Sequence, residues 1–307
     1  MNDTVLKTEG LTKYYGAELA LNHLDMTIPR GCICGFVGRN GAGKTTAIKL
    51  MLGLLKPTAG SSTLLGCDSQ QLKPSIRQRI GYVTEGHQLL RWMRISELEK
   101  FQKRFYPKQW DGKLFSDMIE YFGLSRKKKI KHISNGQRAQ VSLALTLAPN
   151  PELLIMDDPT LGLDAAIRRQ FLEGMIKLIM SQDRTVLFSS HILADVERVA
   201  NRIVVIDKGV LRANCTLEEF RTAVKKILVT FTAKPPDEVN IDGLLSCRRS
   251  EKELELTLIG TDEETIKQWA QTTGAERHQA VRMNLEDQFI EFTAGPERKR
   301  LFQWETN

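Results

Sequence analysis

The stretch Gly38-Arg39-Asn40-Gly41-Ala42-Gly43-Lys44-Thr45-Thr46 fits the pattern GxxxxGK[ST], with an additional glycine inside it and a second threonine after the first. Glycines let successive backbone N–H groups face one point, and such a point binds a polyphosphate. Lys44 then reaches the β and γ phosphates as a point charge, and the Thr45 hydroxyl is of the type that ligates magnesium (Mg2+). A glycine-rich turn that only joins a strand to a helix has no need of the lysine and hydroxyl together. Two more groups suit phosphate chemistry. Asp157 and Asp158 follow the apolar run Leu153-Leu154-Ile155-Met156; the first is placed as a carboxylate that holds magnesium through water, the second as a general base that orients an attacking water. Acids at a strand end could instead cap the segment that follows. His191 ends a similar run, Thr185 to Ser190.

These residues need elements to carry them. Cys32 to Val37 is a short apolar strand, and Ala47 to Leu52 has helical spacing and stops at Gly53. Strand, loop, helix is the context the glycine motif requires, because the helix N-terminus adds its positive end at the phosphate. Runs that end in polar residues, at Leu153–Met156, Thr185–Ser190 and Ile203–Asp207, read as central parallel strands whose C-terminal ends meet a ligand. Ahead of the loop, Val5–Glu9 and Ala20–Ile28 alternate as antiparallel strands around Lys13-Tyr14-Tyr15-Gly16. Tyr15 is either a ring on which an adenine stacks or an ordinary turn tyrosine. Short strands follow at Ser62–Leu65 and at Ile80–Val83, the latter ending in Thr84-Glu85. Ser96 with Glu99 is a capping box for a helix, and Asp117–Phe122 is a second helix closed by Gly123, so a helical insert spans about residues 86–150. From Thr216 the texture changes. Thr216 and Glu219 box a short helix, Ile227–Phe231 and Leu254–Leu258 alternate as strands, and helices follow at Glu263–Trp269 and at Leu285–Phe292 with Asn284 as cap. Residues 216–307 read as a small α+β domain without a chemical motif.

The 307-residue chain has room for a large domain and a smaller one. It contains no apolar run near the ~20 residues that a membrane-spanning helix needs. Its start, Met1 to Lys7, lacks the pattern of an export signal, so a cytoplasmic protein is expected. Five cysteines without CxxC spacing read as reduced thiols. The net charge of +7 permits contact with an anionic membrane surface or a nucleic acid without requiring either. The basic run Arg126 to Lys131 reads as a solvated loop.

A phosphate loop leaves several enzyme classes open, and the absence of an NKxD motif argues against guanine nucleotides. Ile133-Ser134-Asn135-Gly136-Gln137 separates the remainder. It precedes the helical run Val141–Ala148 and then the Asp157 strand. With the motifs before and after it, it resembles the ATP-binding cassette family, the motor subunits of ABC transporters, whose signature reads LSGGQ here. The resemblance covers residues 3–212. It implies an α/β, P-loop NTPase cassette, over residues 1–212, with an N-terminal antiparallel β subdomain and a helical subdomain. ATP and Mg2+ are the implied ligands, and ATP hydrolysis coupled to transport is the implied activity. Tyr15 then matches the adenine-stacking aromatic, Gly38–Thr46 the Walker A loop, Asp157 the Walker B aspartate, Asp164 the D-loop and His191 the switch histidine. Ser134, Asn135, Gly136 and Gln137 match the signature, which in this family faces ATP held by a second cassette in a head-to-tail dimer. The resemblance also implies integral membrane permease subunits as partners and a place on the inner face of the cell membrane.

Three positions depart from the family pattern. Asp158 stands where glutamate is usual, Glu85 where the Q-loop glutamine, a magnesium ligand, is usual, and Asn135 where the first signature glycine is usual. A carboxylate shorter by one methylene lacks roughly 1.5 Å of reach, so either the backbone moves closer or hydrolysis is slow. Met283 to Glu291 has a weak likeness to accessory domains of exporter-type cassettes. The rival reading is a soluble ATP-gated clamp on nucleic acid or the translation machinery, with slow turnover. Such clamps carry two cassettes or long coiled-coil insertions, which this chain lacks.

Overall fold

The structure, a computed structural model, describes residues 4–179, 184–294 and 302–303. Residues 1–3, part of the stretch read as lacking an export signal, and residues 295–301 and 304–307 of the expected C-terminal domain lie outside the described residues. The chain divides into two compact units between Asn214 and Cys215.

In the first unit, β1 (Thr4–Tyr15) and β2 (Glu18–Pro29) form a long antiparallel hairpin. Both strands run further than expected from sequence: Tyr14 and Tyr15 are strand residues paired with Leu19 and Glu18, and the turn narrows to Gly16 and Ala17. β3 (Ile33–Val37) leads into the glycine loop and α1 (Lys44–Met51). β4 (Ala59–Leu64) and β5 (Cys67–Asp68) complete an antiparallel sheet in the order β2-β1-β4-β5. A short α2 (Pro74–Arg77), started by proline in its first turn, precedes β6 (Ile80–Val83).

Three helices then intervene before the chain returns to the sheet. α3 (Ile95–Lys103) does not begin at a Ser96–Glu99 box. Its cap is Arg94, whose N–H donates to the Glu97 carboxylate at 2.7 Å, while Glu99 pairs with Arg126. The buried pair Ile95 and Leu98 sets the helical frame two residues earlier than a cap at Ser96 would. α4 (Gly112–Tyr121) likewise starts ahead of Asp117, because the Asp111 carboxylate accepts from Leu114 N–H at 2.8 Å and Phe115 is buried. α5 (Asn135–Leu147) is buried along most of its length.

β7 (Leu153–Met156), α6 (Ala165–Ile179), β8 (Thr185–Ser190), α7 (Leu193–Val199), β9 (Arg202–Asp207) and β10 (Val210–Thr216) complete the unit. The strands order as β10-β9-β3-β8-β7-β6, with β9, β3, β8, β7 and β6 mutually parallel. Every residue of β7 and β8 is buried, as a parallel strand covered on both faces must be. Their C-terminal ends therefore deliver Asp157, Asp158 and His191 to the edge where β3 delivers the glycine loop.

The second unit contains α8 (Leu217–Ala223), β11 (Val224–Thr230), β12 (Leu244–Arg249), β13 (Glu253–Ile259), α9 (Glu263–Thr272), β14 (Arg277–Val281) and α10 (Leu285–Thr293). The strands form an antiparallel sheet in the order β12-β13-β11-β14. Ile227, Val229, Leu254, Leu256, Leu258 and Ile266 belong to its own core. Thr216 and Asn284 cap α8 and α10 as their sequence predicts. No helix among the described residues is long and apolar enough to cross a membrane, and no disulfide joins the five cysteines.

Candidate functional site

The glycine loop turns between β3 and α1 through Gly41 and Gly43, at φ +79° and +100°. A Cβ on Gly43 would stand 2.7 Å from the Ala20 carbonyl oxygen, so both the angle and the space demand glycine there. The β9–β10 turn braces the loop: Gly209 N–H donates to Ala42 O at 3.0 Å, and Asn22 N–H to Gly209 O at 2.8 Å. Lys44, only 6% exposed, folds back over the loop. Its Nζ donates to Gly38 O at 2.8 Å and to Arg39 O at 3.4 Å, and lies 3.9 Å from Asp158 Oδ2. Burial lowers the basicity of Lys44, and the carboxylates of Asp158, Asp157 and Glu85 oppose that shift.

Asp157 sits at the end of β7 and is buried. One carboxylate oxygen, Oδ1, accepts from Thr45 Oγ1 at 3.1 Å and from Ser189 Oγ at 2.8 Å. The other, Oδ2, is buried with no hydrogen-bond partner. Asp158 stands at φ +40°. Pro159 disfavours the right-handed helical region for the residue before it, and aspartate tolerates the left-handed one better than most. Its N–H donates to Ser189 Oγ at 2.8 Å, and its Oδ1 accepts from His191 Nδ1 at 3.0 Å. A carboxylate, an imidazole and an ammonium thus meet above the loop.

These groups open on a recess of about 630 Å3 whose lining includes Tyr15, Glu18, Leu19 and Ala20, the loop residues Asn40, Gly41 and Gly43 to Thr46, and Glu85, Asp158, Leu161 and Lys208. Gly38, Arg39, Ala42, Asp157 and His191 join it through the bonds described above. The Tyr15 ring is half-exposed, with Lys13 Nζ 5.5 Å from its centroid. An orphaned carboxylate oxygen beside a threonine hydroxyl fits a hard cation. Among the described residues no group of three or more His, Cys, Asp or Glu is gathered for a metal. Magnesium does not require one, because it keeps several waters and takes one or two carboxylates together with substrate phosphates.

Ser134, Asn135, Gly136, Gln137 and Asp164 are not in the lining of the recess. Ser134 caps α5: Gln137 N–H donates to Ser134 Oγ at 3.1 Å, and Ser134 N–H to Gln137 Oε1 at 3.2 Å. Gly136 is required by packing, since a Cβ there would stand 2.7 Å from Ile167 Cγ2. Asn135 Oδ1 accepts from Arg138 Nη2. Asp164 caps the start of α6, accepting from Ile167 N–H at 3.0 Å. Sequence reasoning missed Ser189, which touches both acids, and Lys208 on the wall of the recess. Lys208 directly follows the run Ile203–Asp207 and belongs to no phosphate-binding pattern.

Comparison with known proteins gives a consistent result. A family model described as ABC transporter matches residues 21–161. The chain is 32% identical over 227 residues to a bacitracin transport ATP-binding protein of Bacillus licheniformis, covering 73% of this chain and 74% of that one. It is 30% identical over 223 residues to a daunorubicin/doxorubicin resistance ATP-binding protein of Streptomyces peucetius, covering 71% and 67%. A solved ATP-binding subunit of an ABC transporter matches with a TM-score of 0.64 at 27% identity, over 71% of this chain and 92% of that chain. A dimeric ATP-binding cassette in a post-hydrolysis state, bound to ADP and Pi, shares the fold with a TM-score of 0.62 at 24% identity, over 69% and 98%.

Proposed function

This chain belongs to the ATP-binding proteins of the ABC transporter family, an ATPase subunit that powers transport, and from that premise we propose that Asp158 is the base of its hydrolytic site. The observation that carries the reading is the meeting of Asp158 with His191 and Lys44 at the mouth of the phosphate loop. In this reading the nucleotide lies with its base toward Tyr15 and its phosphates over Gly41 to Thr46. Lys44 leaves the Gly38 and Arg39 carbonyls for the β and γ phosphates. Asp158 accepts the proton of the attacking water, and His191 holds the carboxylate in place and meets the γ phosphate. Thr45 and Asp157, with Glu85 nearby, would hold Mg2+, which when bound neutralises phosphate charge.

We further propose that Ser134 to Gln137, with Asp164, serve the nucleotide of a second cassette packed head to tail. Integral membrane subunits would complete the transporter and hold this chain on the inner face of the membrane. Both relatives named above are described as transport or drug-resistance proteins, which favours export over import. The first unit, residues 1–212, would be the cassette, and residues 216–307 an accessory domain.

The test is substitution of the base. Asp158→Asn should abolish turnover and leave ATP binding intact; an Asn variant that hydrolyses at the parental rate sinks the assignment. Asp158→Glu separates two outcomes: a large gain in rate means that the short side chain limits turnover, and no gain means that the left-handed backbone already compensates for it.

A further inference from the structure

The basic run Arg126 to Lys131 reads in sequence as a solvated loop, but its backbone is pinned to the segment that enters α3. Arg94 and Lys129 face each other in an antiparallel bridge. Ile95 N–H donates to Lys128 O at 3.1 Å, Ile130 N–H to Met93 O at 2.9 Å and Lys131 N–H to Arg91 O at 2.9 Å. Ile95 and Ile130, the residues after the bridged pair, are buried and anchor both segments. The Arg94 guanidinium adds a further tie, with Nη1 donating to Lys127 O at 2.6 Å.

The two segments enclose a recess of about 340 Å3 lined by Arg94, Lys127, Lys128, Lys129, Lys131 and His132. Its volume falls within the ~300–1,000 Å3 of small-molecule sites. Every lining residue is basic, and none of the described ion pairs involves the four lysines or Arg94. The neighbouring Arg126 is the one that pairs, with Glu99. The Glu97 carboxylate accepts from the Arg94 N–H at 2.7 Å and is not part of the lining. Cations gathered on one recess repel one another, and here a backbone bridge holds them together where a carboxylate could have done so. An anion in the recess turns that repulsion into attraction.

We propose that this recess binds a ligand with clustered phosphates, carried by a lipid headgroup or by a soluble polyphosphate. Planar, two-pronged recognition of a carboxylate is the work of arginine, and the single guanidinium of the lining already spends Nη1 on a backbone carbonyl. Lysine binds phosphate as a point charge, with three donors free to rotate toward oxygens in several directions. Four lysines on one concave surface therefore suit phosphate groups better than an acidic side chain. Trp92, two residues before Arg94, is 65% exposed, and an exposed indole beside cations suits the boundary between lipid and water. The recess shares no lining residue with the nucleotide recess, so the proposal does not depend on the reading of Asp158 as base. Lys131 and His132 run directly into Ile133 and Ser134, so a ligand bound there also holds the segment that enters α5.

Two measurements on the full chain test it, at about 0.15 M salt, where exposed charges more than ~8 Å apart are largely screened. Inorganic tripolyphosphate is titrated calorimetrically, and vesicles of phosphatidylcholine, with or without phosphatidylglycerol, are used in flotation. Lys44→Ala is present throughout, which takes the phosphate loop out of the count. Lys129→Gln with Lys131→Gln removes two charges and leaves the main-chain bonds in place, and it should weaken whichever probe binds at least tenfold. Lys103→Gln with Lys108→Gln removes the same charge outside the recess and should change binding less than about twofold. Binding of tripolyphosphate without vesicle capture identifies a soluble polyphosphate. Capture by vesicles only when they contain phosphatidylglycerol identifies a headgroup, and Trp92→Ala should then lower capture without altering the titration. Failure of both probes to bind, or equal losses in the two paired variants, would overturn the site. So would retention of single-stranded DNA as the sole interaction that the Lys129 and Lys131 changes remove.

Discussion

Ser189 has one proton to donate and uses it on Asp157, and it accepts from the N–H of Asp158. It is fully buried, so no water replaces either bond when the hydroxyl is removed. Ser189→Ala should therefore lower stability by about 1–3 kcal/mol, the range for a buried polar group left unsatisfied. Because the hydroxyl holds the left-handed backbone of Asp158, turnover should fall further than ATP affinity does. Denaturant unfolding and steady-state kinetics on the same sample check both parts; equal losses in kcat and in binding would mean that Ser189 acts only on the fold. This residue also marks a limit of legibility. Lys44, Asp157 and His191 could be read because each ends an apolar run or a glycine pattern in one segment. Ser189 acquires its role only because β8 pairs with β7, and nothing in its own segment tells it from Ser190.

At the scale of elements, β7 and β8 were legible as apolar runs that end in polar residues, whereas β12 and β14 were not. β14 is exposed at every residue, and the second half of β12 is exposed as well; these sheet-edge strands carry no alternation for a sequence to display. α3 was legible as a helix and misframed at its start, because Ser96 imitates a cap that Arg94 and Glu97 supply. One side-chain contact that ties neighbouring strands can be tested by pH. Arg79, just before β6, makes a two-pronged contact with Glu152, just before β7, at 2.5 and 2.7 Å. The Arg79 hydrogen bond, aided by the charges of Arg79 and Arg30 and opposed by partial burial, holds the Glu152 carboxyl below its ordinary 4.5. A folded-state pKa below the unfolded one gives stability that is present above 4.5 and is lost as pH falls through the folded value. Glu152→Gln should cost about 0.5–1 kcal/mol at neutral pH, as befits a partly exposed pair. The gap between variant and parent should close on acidification below about 4.5. A gap that is flat with pH would show that the carboxylate charge is not what matters.

The whole molecule is two compact units, and each has a hydrophobic core of its own. Calorimetry should resolve two transitions, of which MgATP moves one. At a nucleotide concentration 100 times Kd the bound unit gains about 2.7 kcal/mol, a rise of roughly 5–10 °C for a domain of its size. Lys44→Ala should remove that rise and leave the other transition where it was. A single transition that moves as a whole would instead mean that the units unfold together. Ser134 to Gln137 stand outside the lining of the nucleotide recess, which makes the dosage of the chain matter. If a working site needs two chains, hydrolysis at low protein concentration rises with the square of the amount present. Halving expression would then quarter the flux, and a chain with a dead Lys44 would poison its intact partners in proportion to the mixed pairs it forms.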